Sequence, residues 1–182
     1  MKEKLYTIIR EDQWMMDVLK TVKNLKLTDC WIGAGFVRNR VWDYLHQKER
    51  SELNDIDVIY FNSTNKTPER DQQIEGKLIS DWPGLNWSVK NQARMHIKNH
   101  HPGYMDCEHA LSFWSETATA IAVRLNNYGQ LECIAPYGLK DLFNLVVRPT
   151  PFIDLRIYKQ RIEQKAWKEK WPKLKFFENY EA

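Results

Sequence analysis

Several kinds of protein are excluded by what this sequence has little of. Cys30, Cys107 and Cys133 are an odd number without CxxC spacing, so neither a disulfide framework nor a cysteine zinc site is expected, only reduced and mostly buried thiols. The longest apolar stretches, 30–36 and 56–61, fall far short of the roughly 20 residues that cross a bilayer. Met1-Lys-Glu-Lys opens without a signal-peptide core, so a cytoplasmic protein with no membrane partner is expected. A net charge of +3, from 27 Lys and Arg against 24 Asp and Glu, does not by itself mark a nucleic-acid binder. Repeats, low-complexity tracts and linkers are missing as well, so the chain of 182 residues, 43% hydrophobic, is read as one domain over 1–182.

What the sequence does have is periodicity. Trp14, Val18, Val22 and Leu25 line one face of an amphipathic helix over 11–26, read as the first helix. Cys30-Trp31-Ile32 is a short buried strand leading into Gly33-Ala34-Gly35, where small side chains allow close approach of the backbone. A second helix carries Val37, Val41 and Leu45 at steps of four. After a charged loop over 47–54, Asp55-Ile56-Asp57-Val58-Ile59-Tyr60-Phe61 alternates and then turns fully apolar, as a strand does on entering a sheet. Thr67-Pro68 supplies an N-cap and a first-turn proline for a helix turning Ile74, Leu78 and Ile79 inward. A strand over 86–89, a helix over 91–98, and a hairpin of 119–125 with 131–135 around Asn126-Asn127-Tyr128-Gly129 follow. Helices over 139–145 and 154–170 close the chain. The fold class is α/β (α+β), a mixed sheet with flanking helices.

Two features together carry chemistry. A small-residue turn at a helix start presents backbone N–H groups and the positive end of the helix dipole to a phosphate. Carboxylates at i and i+2 of a strand, Asp55 and Asp57, share a face and can grip Mg²⁺ or Mn²⁺. In this order, with strand, helix and strand between them, they resemble the nucleotidyltransferase superfamily that includes DNA polymerase beta and the tRNA-CCA-adding and poly(A) polymerases. Ala34-Gly35-Phe36-Val37-Arg38-Asn39 is similar to the Gly-Gly-x-Val-Arg-Asp of the last two groups. With Val37–Asp43, Asn54–Asp57, Val89–His96 and Ala135–Leu142 taken in order, the chain resembles, over about 15–171, a family of small, mostly bacterial nucleotidyltransferase-like proteins.

The resemblance implies a nucleotidyltransferase-type sheet and metal-dependent transfer of a nucleotidyl group from an NTP to an acceptor that the sequence does not identify. Asp55 and Asp57 are the catalytic and metal-binding candidates. Gly33, Ala34, Gly35, Arg38, Asn39, Lys90, Asn91 and Arg94 are the nucleotide-binding ones, Asn39 being favoured as a structural support and 90–96 as a polar cluster suited to a base or a triphosphate.

One departure opens an alternative. Superfamily enzymes usually add a third carboxylate from a later strand, where this sequence offers Ser88 or Lys90; Asp81, Asp106, Glu108 and Glu116 are the substitutes considered. Without a third acid, the protein becomes a catalytically degenerate nucleotide- or RNA-binding module. His96, His100, His101 and His109 lack the spacing of a closed zinc site. The tryptophans are read as core, with Trp167 and Trp171 docking a C-terminal basic helix over 154–175. That helix carries Arg156, Lys159, Arg161, Lys165, Lys168, Lys170, Lys173 and Lys175, and is either a nucleic-acid contact or a solvated face.

Overall fold

The computed structural model describes residues 1–180. It begins with a helix that the periodicity reading passed over, α1 (Lys2–Arg10), which buries Leu5, Ile8 and Ile9 at helical spacing. Helix α2 (Gln13–Lys23) starts at Asp12, whose carboxylate accepts the Met15 N–H at 3.2 Å, and buries Met15, Val18, Leu19 and Val22. Strand β1 (Cys30–Gly33) runs into α3 (Gly35–Leu45), and β2 (Ile56–Tyr60) begins one residue after Asp55.

Helix α4 (Pro68–Asp81) has its proline at the start, but the Thr67 hydroxyl donates to Asn65 Oδ1 at 2.9 Å instead of capping the helix. Ile74 and Leu78 point inward, whereas Ile79 is 48% exposed, since it lies about 100° around the helix from Leu78. Strand β3 (Trp87–Asn91) feeds directly into α5 (Gln92–Asn99). The short α6 (Cys107–Ser112), assigned to no element by the sequence pattern, buries Cys107, Ala110 and Leu111.

The hairpin of β4 (Ala122–Leu125) and β5 (Leu131–Ile134) closes where Asn126 Oδ1 accepts the Tyr128 and Gln130 N–H groups and Gly129 takes φ +78°. Beyond α7 (Lys140–Phe143) and β6 (Val146–Val147), the expected last helix is two: α8 (Leu155–Lys165) and α9 (Trp167–Lys170), broken at Ala166 in the left-handed region. Strand β7 (Lys175–Phe176) then pairs with β6. Trp167 and Trp171 are buried edge-on against Trp42, at ring-centroid distances of 5.4 and 5.1 Å. Trp171 Nε1 also donates to the buried Asp43 at 2.8 Å, a carboxylate that accepts the Ser51 N–H and hydroxyl as well.

The main sheet has the order β3-β2-β1-β4-β5, with β2 and β3 parallel and the other pairs antiparallel. Alternation gives it two faces. One carries Ile32, Val58, Val89 and Val123 into the large core built with α1 to α4. The other carries Trp31, Ile59 and Ala122 against Cys107 and Leu111 of α6. Among the described residues no helix is long and apolar enough to cross a membrane.

Candidate functional site

The site begins at the turn between β1 and α3. A Cβ on Gly33 would lie 2.9 Å from the Trp114 ring and 3.2 Å from the Ile121 carbonyl, so only glycine lets Trp114 cover the sheet there. Ala34 has φ 50° and ψ −124°, a strained backbone for a residue with a side chain, and its N–H is tied to the Ile121 carbonyl at 3.1 Å. The Ala34 carbonyl accepts from Val37 and Arg38. The earlier N–H groups of Gly35 and Phe36 have no carbonyl of the helix to reach, which makes them the anion-seeking end of α3.

Register brings the carboxylates to this turn. Ile32 pairs with Val58, and one step further sets Gly33 level with Asp57. On the far side of β2, Asp57 pairs with Ser88, while Gly33 pairs with Ala122 on β4. Asp57 is half-buried on the face shared with Ile59, and Asp55 is exposed. Burial, reinforced by the charge of Asp55, pushes Asp57 up to about 6, against the pull of Arg38, the Ser88 hydroxyl hydrogen bond and Arg161. Ionised Asp57, half-desolvated beside the charge of Asp55, is costly, and a cation placed there would offset the cost.

Beside Asp57 on β3 stands Ser88, not an acid. Asp81 is occupied by Lys77 on the outside of α4 at 2.8 Å, Asp106 caps α6 through the His109 N–H at 2.7 Å, and Glu108 is exposed on α6. Glu116 is fully buried and takes Arg161 Nε at 2.6 Å. Among the described residues no group of three or more His, Cys, Asp or Glu side chains is placed to hold a metal.

Arg38 is buried beside the acids. Its Nη1 donates to Thr119 Oγ1 at 2.8 Å, its Nε and Nη2 to Asn39 Oδ1 at 3.2 and 2.9 Å, and its guanidinium lies 4.3 Å from the Trp167 ring centroid. Burial draws its pKa down to about 10, while Glu116 and then Asp57 and Asp55 hold it up, so it keeps its charge at neutral pH. Asn39 is thus an orienting partner of Arg38.

Of the remaining candidates, Lys90 shares the Ser88 side of β3 by alternation, its amine donating to the Val89 carbonyl at 3.1 Å. Asn91 and Arg94 are not brought to the site. Asn91 falls on the core side of β3, where it accepts from Asn62 and Ala93 N–H and donates to the Asn62 and Asn65 carbonyls. Arg94 pairs with the buried Asp71, which also accepts from the Tyr60 hydroxyl and the Asn91 N–H. Both side chains therefore tie the loop after β2 to α4 and α5. Glu116, one of the four acids considered as a substitute, and Arg161, expected only as part of the basic helix, complete the cluster. The one available signal was an isolated acid directly before the apolar run 118–123.

The profile of the family Nucleotidyltransferase matches residues 20–176. An NMR structure described as revealing a CCA-adding enzyme head domain is 36% identical, with a TM-score of 0.85, over 96% of this chain and 95% of that one. More distantly, the chain shares its fold with a CCA-adding enzyme in complex with CTP, at 16% identity and a TM-score of 0.60 over 96% of this chain and 43% of that one. It also shares its fold with the Thermotoga maritima CCA-adding enzyme complexed with tRNA_CCA, at 16% identity and a TM-score of 0.58 over 96% of this chain and 42% of that one. The chain thus spans less than half the length of these last two. No curated protein matches it significantly.

Proposed function

The chain belongs to this nucleotidyltransferase family, and we propose on that footing that it moves a nucleotidyl group from an NTP to an acceptor hydroxyl or phosphate in the presence of Mg²⁺ or Mn²⁺. The observation that carries this reading is the level of Asp57 in the sheet, beside the Gly33 turn on one side and Ser88 on the other. Mg²⁺ is commonly held by one or two carboxylates together with substrate phosphates, so Asp55, Asp57 and a bound nucleotide form an adequate donor set without a third acid. The ion supplies polarisation of the phosphoryl oxygens.

The protein's own groups do the rest. Asp55 and Asp57 would hold the ion, with Ser88 beside Asp57 on the neighbouring strand. The Gly35 and Phe36 N–H groups bind the β- and γ-phosphates at the start of α3. Arg38, fixed by Thr119, Asn39 and Trp167, supplies an immobile positive field for charge developing in the in-line displacement, and Arg161 adds to it from α8. The acceptor class suggested by the distant CCA-adding enzymes is an RNA end, with exposed Lys165 and Lys168 available to its phosphates.

The test is transfer of label from each α-labelled NTP, with Mg²⁺ or Mn²⁺, to added RNA or to cell extract. Transfer by the wild type that disappears in Asp55→Ala/Asp57→Ala supports the enzyme; equal transfer by that variant refutes it. Ser88 beside Asp57 favours a second reading, a binding module, whose signature is NTP binding with no transfer to any acceptor.

A further inference from the structure

Outside the carboxylate site, the densest unexplained feature is a cluster of rings on the loop side of α6. Phe113 and Phe152 stack at 4.5 Å and 25°, and His101 lies tilted on Phe113 at 4.8 Å and 31°. Tyr104 and His109 support Phe113 from the side at 5.3 and 5.4 Å. Phe152 is 56% exposed, so the stack ends in an open aromatic face.

The stack is joined to the site by chain. The Trp114 ring covers Gly33, and Glu116, paired with Arg161, lies in the electrostatic neighbourhood of Arg38. The Phe152 segment is pinned to the same stretch through Thr150, whose N–H donates to Ser115 O at 3.1 Å and whose hydroxyl donates to Trp114 O at 2.5 Å. The Cα atoms of residues 113 and 116 cannot be more than about 11 Å apart, so the ring stack and the Glu116–Arg161 pair stand on one short segment.

We propose that Phe113 and Phe152 form the seat for the base of the NTP whose phosphates lie at Asp55, Asp57 and Arg38, the base continuing the stack on the open face of Phe152. This rests on the nucleotide-binding reading given above. The chemistry selects a base over other flat or apolar ligands, because the same short segment links an unfinished ring stack to a cluster that accepts a metal-bound phosphate. Burial and the neighbouring His100 lower the His101 pKa from its ordinary value, which favours the neutral ring. Stacking reads ring area more than edge pattern, so purine NTPs bind more tightly than pyrimidine NTPs.

The experiment is equilibrium dialysis of labelled ATP, inorganic tripolyphosphate and a short single-stranded RNA, each with Mg²⁺, against the wild type, Phe152→Ala and Phe152→Trp. Phe152→Ala is expected to weaken ATP binding about 10-fold or more while leaving tripolyphosphate unchanged, and Phe152→Trp to restore ATP binding. Unchanged ATP affinity in Phe152→Ala, or an equal loss for tripolyphosphate, overturns the proposal. Loss of RNA affinity with ATP affinity intact overturns it in favour of an acceptor base. A wild type that binds neither ATP nor tripolyphosphate fails the nucleotide reading itself, and the base seat with it. The exposure of Phe152 keeps the fold out of the question, which matching thermal melts of the variants check.

Discussion

Replacing Asp57 with asparagine should stabilise the metal-free protein while removing its activity. Asp57 is half-buried beside Asp55, and its rise from the ordinary 3.8 to about 6 corresponds to an upper bound of about 3 kcal/mol of unfavourable free energy when it is ionised. Water at its open side screens part of this, leaving about 1–2 kcal/mol, or roughly 2–8 °C in Tm for a chain of this size. Asparagine keeps the shape and a partner for the Ser88 hydroxyl. The folded pKa lies above the unfolded one, so the native state holds the extra proton between about pH 4 and 6. Wild-type stability is therefore lost as pH rises through that window. The advantage of Asp57→Asn is full above about pH 6 and gone below about pH 4. Thermal melts in EDTA from pH 4 to 8 measure it, and a repeat with Mg²⁺ should raise the wild-type Tm only. A variant that melts lower than wild type at pH 7.5, or whose advantage does not shrink toward pH 4, refutes the assignment of a strained carboxylate pair.

Ala34→Gly should relieve the positive φ of the turn and raise stability by about 1 kcal/mol, read by urea denaturation; a loss would mean that the Ala34 methyl packs usefully. Ser88→Asp should place a third carboxylate beside Asp57, tightening Mg²⁺ binding in calorimetric titration while lowering the metal-free Tm; unchanged Mg²⁺ affinity would show that the register does not bring that side chain to the ion. Asp43→Ala should cost about 3 kcal/mol, because it strands the Trp171 indole N–H and both Ser51 donors, and chemical denaturation should show it. Arg38→Lys should lower the rate of label transfer at least about 10-fold, since lysine cannot span Thr119 and Asn39 while lying over Trp167; a variant with wild-type transfer would remove Arg38 from the mechanism.

The parts of the fold legible in the sequence are those whose signal is local. The steps of four through Val37, Val41 and Leu45, the apolar finish of β2 and the turn chemistry at Asn126–Gly129 each name an element without help from the rest of the chain. Helix α1 is equally local, with Leu5, Ile8 and Ile9 at helical spacing. The break at Ala166 was not legible, because it is set by where Trp167 and Trp171 must land to reach Trp42. Asn91 and Arg94 illustrate the same limit at the site. Their residue types suit phosphate and base, but the pleat of β3 turns Asn91 into the core, and Asp71 captures Arg94 from α4. Asp55 and Asp57 were visible because the two-residue spacing of a strand face is itself a local fact.

Glu116 and Arg161 belong to the non-local class, and they bear on why the site is poised for an ion. Asp55, Asp57 and Glu116 bring negative charge to a patch where Arg38 and Arg161 supply the positive charge, and Glu116 Oε2 is buried without a hydrogen bond. With Lys90 on the Ser88 side of β3, the acids and the fixed cations come close to balance before any ligand arrives. On the proposed reading, a divalent cation would tip that balance toward positive charge and favour the triphosphate of a nucleotide over a neutral ligand. Arg161 reaches Glu116 from α8, and Trp167, just past the break at Ala166, lies against the Arg38 guanidinium, so the C-terminal segment is as much a component of the candidate active site as the glycine turn and the aspartates.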